Sequence, residues 1–158
     1  MRRLDREWIA DVLVAAAWAA VLSGVPSTLY AFLTDGDPLE ATRAAGAMLI
    51  SFTSTDTQLI AAAAVVHVSI TLFWAFVLAA ILPRRHILWS AIAASALIAF
   101  LDVKLIARLF FPDVYLLDFW PQFADHIAWG AAFGGVLGWR WPERTIAPPD
   151  ELQRTEVP

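Results

Sequence analysis

The chain has no cysteine among its 158 residues. That absence excludes a disulfide, a thiolate metal site, an iron–sulfur cluster and a thiol redox pair. Charge is scarce too, at 16% of residues, where soluble domains carry about a quarter. No basic run exceeds two residues and the formal net charge is -4, so nucleic acid finds nothing to hold it strongly. GxSxG, HExxH and glycine-rich phosphate loops are all missing, which leaves a hydrolase or transferase reading little to rest on. What is abundant is apolar surface: 59% of residues are hydrophobic and eight are Trp. Length allows one compact unit. The partners implied are the lipid bilayer, a second copy or another membrane protein, and a small ligand.

A membrane-crossing helix needs about 20 mostly apolar residues, because the hydrocarbon core is about 30 Å thick and every backbone amide inside it must be paired. Four segments meet this expectation, at about 8–33, 59–82, 87–111 and 120–141. The uncharged part of the third ends at Leu101. Residues 1–141 therefore read as a single all-α membrane domain, an antiparallel bundle of four transmembrane helices. Residues 142–158 are polar and proline-rich and read as a disordered cytoplasmic tail. Arg2 and Arg3 resemble the basic start of a signal peptide, but the apolar run continues past Ala15 to Ala20, so the first span is read as retained.

Of eleven Lys and Arg residues, Arg2, Arg3, Arg6, Arg84, Arg85, Arg140, Arg144 and Arg154 fall on one side of this topology. By the positive-inside rule both termini are cytoplasmic, in a bacterial inner (plasma) membrane. The other face is acidic, with Asp35, Asp37, Glu40, Asp56, Asp113 and Asp118. Within its first connection a short outer helix is expected at about 38–50, capped by Asp37 with Glu40 three residues on. It is expected to lie on the membrane surface or to cover the bundle mouth. Tyr115, Phe119 and Trp120 suit an outer aromatic belt, and Trp8, Trp89, Trp139 and Trp141 an inner one.

Helices in lipid associate through close backbone contact and polar links, favoured by small residues four apart. Gly130, Gly134 and Gly138 form such a stripe, and Gln122 and His126 extend it. Comparable rows run through Ala16, Ala20, Gly24 and Thr28, through Ala91, Ser95, Ala99 and Asp102, and through Ala63, His67, Thr71 and Ala75. Pro26 is expected to kink the first span. Counting a rise of about 1.5 Å per residue from the outer helix ends places His67 about 12 Å deep, His126 about 9 Å and Asp102 about 13 Å. His67, Asp102, Asp125 and His126 thus form a candidate buried polar cluster at one level.

Charge in that setting costs at least about 2.5 kcal/mol, so these groups should face one another or water. Several arrangements satisfy this. Asp102 or Asp125 can pair with Lys104 or Arg108 while the histidines bond Ser, Thr or backbone. The four groups can relay a proton or ion. His67 and His126 can ligate haem or a transition metal, although no spacing motif supports a committed metal site. In length, alanine content and charge bias the chain resembles small bacterial inner-membrane proteins of four helices. Small multidrug transporters are similar in size, but they rely on a glutamate in the first helix, where this chain has only Asp11 near the edge. Quinone-linked disulfide-forming proteins need cysteine. The reading that follows is a non-enzymatic scaffold or interaction subunit, followed by a small proton- or cation-coupled transporter or channel, then a haem- or metal-binding redox subunit. No cofactor is expected in the first two.

Overall fold

The computed structural model describes residues 6–141. The expected tail at 142–158, with Arg144 and Arg154, and the basic residues Arg2 and Arg3 lie outside that range. Among the described residues the fold is all-helical and contains no strand. In chain order come α1 (Arg6–Ser23), α2 (Val25–Leu33), α3 (Glu40–Gly46), α4 (Asp56–Ile81) and α5 (Ile87–Ala99). A widened π-type segment at Phe100–Ile106 follows, then α6 (Ala107–Phe110), α7 (Pro112–Tyr115) and α8 (Phe119–Arg140).

Three helical stretches are long and apolar enough to cross a membrane: Arg6–Leu33, Asp56–Ile81 and Arg84–Phe110. The fourth expected span is α8, whose 22 residues give it the length but not the apolarity. Gln122, Asp125 and His126 occupy its early turns, and four glycines add no apolar surface. Even so, α8 packs on both α5 and α1, with Phe133 and Leu137 fully buried.

The core lies toward one end of the assembly. Val12, Ala15, Ala16 and Ala19 of α1 meet Ala75, Leu78 and Ala79 of α4 and Trp129, Phe133 and Leu137 of α8. At this end Arg140 Nε donates to Asp11 at 2.5 Å and Trp141 Nε1 donates to its other oxygen at 2.8 Å. The Arg84 guanidinium stands 4.6 Å from the centre of the Trp141 ring. Asp11 therefore ties the start of α1 to the last turn of α8. Trp8 and Trp141 are buried in the core rather than lying in an aromatic belt, whereas Trp89, Trp120 and Trp139 are exposed.

The glycine stripe of α8 faces α5. A Cβ on Gly130 would lie 2.5 Å from Ser95 Oγ and 2.8 Å from the Ala91 carbonyl, and one on Gly134 would lie 2.8 Å from Leu88 Cα. At Gly138 the nearest atom, Ile87 Cγ2, is 3.4 Å away, ordinary contact. The row expected on the first span is displaced: Val12, Ala16, Ala19 and Ser23 are buried, while Gly24 and Thr28 are exposed. Pro26 does interrupt that span, as a break at Gly24 between α1 and α2.

The short outer helix is also shorter than expected, at seven residues. Asp37 does not cap it, because the helix begins at Glu40 with Leu39 at the N-cap; the Asp37 carboxylate accepts from the Leu39 amide and pairs with Arg43. A capping box forms instead at the start of α4, between Thr55 and Gln58. Gly46 sets α3 directly on the Leu59 backbone, and Arg43 reaches Asp56 at 3.6 Å. Both contacts fix α3 against the N-terminal end of α4.

Candidate functional site

Beyond the core-filled half, α4 packs mainly on α1 and α3 and at most sparsely on α2, α5 and α8. The space between is a cavity of about 450 Å³. Pro38, Ala41, Thr42 and Ala45 from around α3 form part of its roof, and Thr71, Trp74 and Trp129 its floor. Trp129 is held there by a 3.4 Å bond from its Nε1 to Thr71 Oγ1 and by stacking on Phe133 at 4.9 Å. Small residues make the room. Ala20 and Gly24 line one wall and Ala63 and Ala64 another, so the displaced row on the first span borders space instead of admitting a helix.

All four residues of the expected cluster line this cavity, but the cluster is not buried as expected: His67 is exposed and Asp102, Asp125 and His126 are half-buried. His126 Nε2 faces Asp102 Oδ2 at 3.6 Å. Its other nitrogen, Nδ1, lies 2.8 Å from the Gln122 carbonyl one turn back. A carbonyl only accepts, so Nδ1 carries the hydrogen. His67 Nε2 lies 3.0 Å from the Ala20 carbonyl, to which it donates, and 3.5 Å from Ser23 Oγ. The two histidines thus share a cavity while each is oriented by a different backbone carbonyl.

Asp125 points to the first span. Its Oδ1 accepts from the Ser27 amide at 2.8 Å. Pro26 lacks an N–H and interrupts the hydrogen-bond ladder, so the amide after it needs a partner from elsewhere. The carboxylate supplies that partner and places a negative charge at the start of α2.

The expected pairing of Asp102 or Asp125 with Lys104 or Arg108 is not formed among the described residues. Lys104 Nζ stands 4.5 Å from the centre of the Phe119 ring. Residues two apart on a helix do not share a face, so with Asp102 turned inward Lys104 turns out, and Asp125 is already directed to α2. Asp102 itself sits in the widened segment, where the Ala107 amide bonds the Asp102 carbonyl five residues back. Such π-type turns occur frequently at functional sites. Sequence alone carries little signal for it.

Two further polar groups have roles beyond those expected of them. Ser95, placed on a packing row, also lines the cavity; it is 1% exposed and its hydroxyl has no hydrogen-bond partner among the described residues. Tyr30 donates to Asp118 at 3.2 Å, tying α2 to the start of α8. Among the described residues no group of three or more His, Cys, Asp or Glu is placed to hold a metal ion. Comparison of the chain with protein-family models, curated proteins and solved structures finds no match.

Proposed function

We propose that this protein is a small carrier of the plasma membrane, in which a solute enters the cavity from the outer face and a proton on the Asp102–His126 pair is part of the transport cycle. In this reading α8 crosses the membrane as the fourth span of an antiparallel bundle, sheltered by the three more apolar helices. Both termini are cytoplasmic, which puts the Asp11–Arg140 end inside. The observation that carries the proposal is the half-open cavity. Ionisable groups from three separate helix segments converge on it, while the other end of the assembly is filled by core side chains.

A scaffold built on the glycine stripe has less support, because Gly130 and Gly134 are used within the chain against α5. An intramembrane acid and histidine that face each other beside a cavity are better explained as part of a solute or proton pathway.

The absence of native cysteine makes thiol labelling a direct test. A cysteine at Ala64, on the cavity wall, should react with a membrane-impermeant sulfonated maleimide added outside right-side-out vesicles. It should stay unreactive in inside-out vesicles. A cysteine at Ala75, fully buried below the floor, should react from neither side. In proteoliposomes, Asp102→Asn should lower proton flux under an imposed pH gradient. Failure to label the Ala64→Cys protein from outside, or unchanged flux in the Asp102→Asn protein, would reject the carrier.

A further inference from the structure

The donors and acceptors around the cavity decide which ligands it can take. His126 Nδ1 holds its hydrogen on the Gln122 carbonyl, so in the neutral ring Nε2 is a lone pair. That lone pair faces the Asp102 carboxylate at 3.6 Å. Acceptor then opposes acceptor, and the pair requires one added donor. His67 repeats the pattern on α4: Nε2 donates to Ala20, which leaves Nδ1 as an acceptor. Asp125 is engaged by Ser27, whose backbone amide donates to its Oδ1 at 2.8 Å. No described Lys or Arg lines the cavity to answer the acceptors of His67 and of the Asp102–His126 pair. Much of the remaining wall is apolar, including Ile60, Ile70 and Ile98.

We infer that the cavity binds an organic ammonium ion with an apolar body, and that the ammonium replaces a proton held between Asp102 and His126. This rests on the carrier reading and names its substrate class. The N–H groups of the ammonium supply the missing donor, and Trp74 and Trp129 offer ring surface to the cation and its apolar body. The exchange balances: one ammonium enters, one proton leaves the pair for water, and the charge of the site is unchanged. A carboxylate ligand would instead meet Asp102 and Asp125 with no fixed cation beside them. A bare inorganic cation would leave most of the 450 Å³ unfilled. The titratable and charged neighbours of the pair are His67 from α4, Asp125 from α8, and Lys104 on its own segment, turned to Phe119. Tyr30 and Asp118 are engaged with each other.

Phenethylammonium is a suitable probe, with benzoate and sodium as comparisons, added to the purified full chain in weakly buffered micelles containing a pH indicator. Phenethylammonium should change tryptophan fluorescence saturably and release about one proton per molecule bound. Asp102→Asn should weaken binding by about tenfold or more and abolish the release. His126→Gln keeps a side-chain acceptor but no longer titrates, so it should bind the amine without proton release; this variant also serves if Asp102→Asn does not fold. Equal amine binding by wild type and Asp102→Asn, tighter binding of benzoate or sodium, or wild-type binding without proton release would overturn the inference. If the Ala64→Cys protein labels from outside while the amine does not bind, the ligand class is wrong and the carrier stands. If labelling fails, both fall.

Discussion

Asp125 and His126 are adjacent in sequence but point about 100° apart on α8, so they answer to different helices. His126 follows the glycine stripe toward the third span and meets Asp102 there. That direction was readable from spacing alone, since positions four apart share a face. The partner of Asp125 was not readable in the same way, because it depends on where the break at Gly24 and Pro26 leaves an amide exposed and which neighbour passes beside it. The two roles can be separated experimentally. Asp125→Ala removes the acceptor for the Ser27 amide and should destabilise the protein by about 1–3 kcal/mol. Asp125→Asn keeps an oxygen in place and should lose markedly less. Thermal unfolding in detergent distinguishes them, and equal losses would mean that the Ser27 contact is not what holds α2.

At the scale of elements, the apolar runs and the small-residue rows were sufficient to place the long helices, because hydrophobic length and period are local properties. What they could not reveal was which small residues pack and which leave space. Ala16 and Ala20 belong to one sequence row, yet Ala16 is buried in the core while Ala20 borders the cavity. The cavity that opens between α4 and α8 makes that difference, and it is a property of the assembled helices. The fourth helix failed the apolar test for a related reason, since its polar side chains line a cavity and Gly130 and Gly134 pack against α5. Gly134→Leu should force α8 away from Leu88 and Ala91 and destabilise by about 1–3 kcal/mol or prevent folding. Gly138→Ala, with only Ile87 Cγ2 nearby at 3.4 Å, should be close to neutral. Comparable unfolding temperatures for the two variants would show that the stripe does not set the α5–α8 spacing.

For the whole molecule, the contrast between its ends matters more than any single contact. One end is closed by the core and by Asp11, Arg140, Trp141 and Arg84; the other is hollow, with α3 across part of its mouth. Charge bias in the sequence distinguished the two ends, but only the packing shows which one is hollow. The depth of the hollow gives the protein an electrical property. In the proposed carrier, a cation at Asp102 would lie about 13 Å into a hydrocarbon layer about 30 Å thick, by the helical rise counted from the outer end of its span. It has therefore crossed roughly two-fifths of the membrane field if the potential falls evenly, worth about 1 kcal/mol for each 100 mV. Filling an empty, unprotonated site with phenethylammonium should accordingly strengthen about fivefold when 100 mV, negative inside, is imposed on oriented proteoliposomes. Exchange of that ammonium for a proton at the same depth moves no net charge and should show almost no voltage dependence. Binding measured across a series of potassium diffusion potentials, at high pH where the pair is empty and at low pH where it is protonated, would therefore report whether the hollow end works as a shared seat for two cations or as a seat for one.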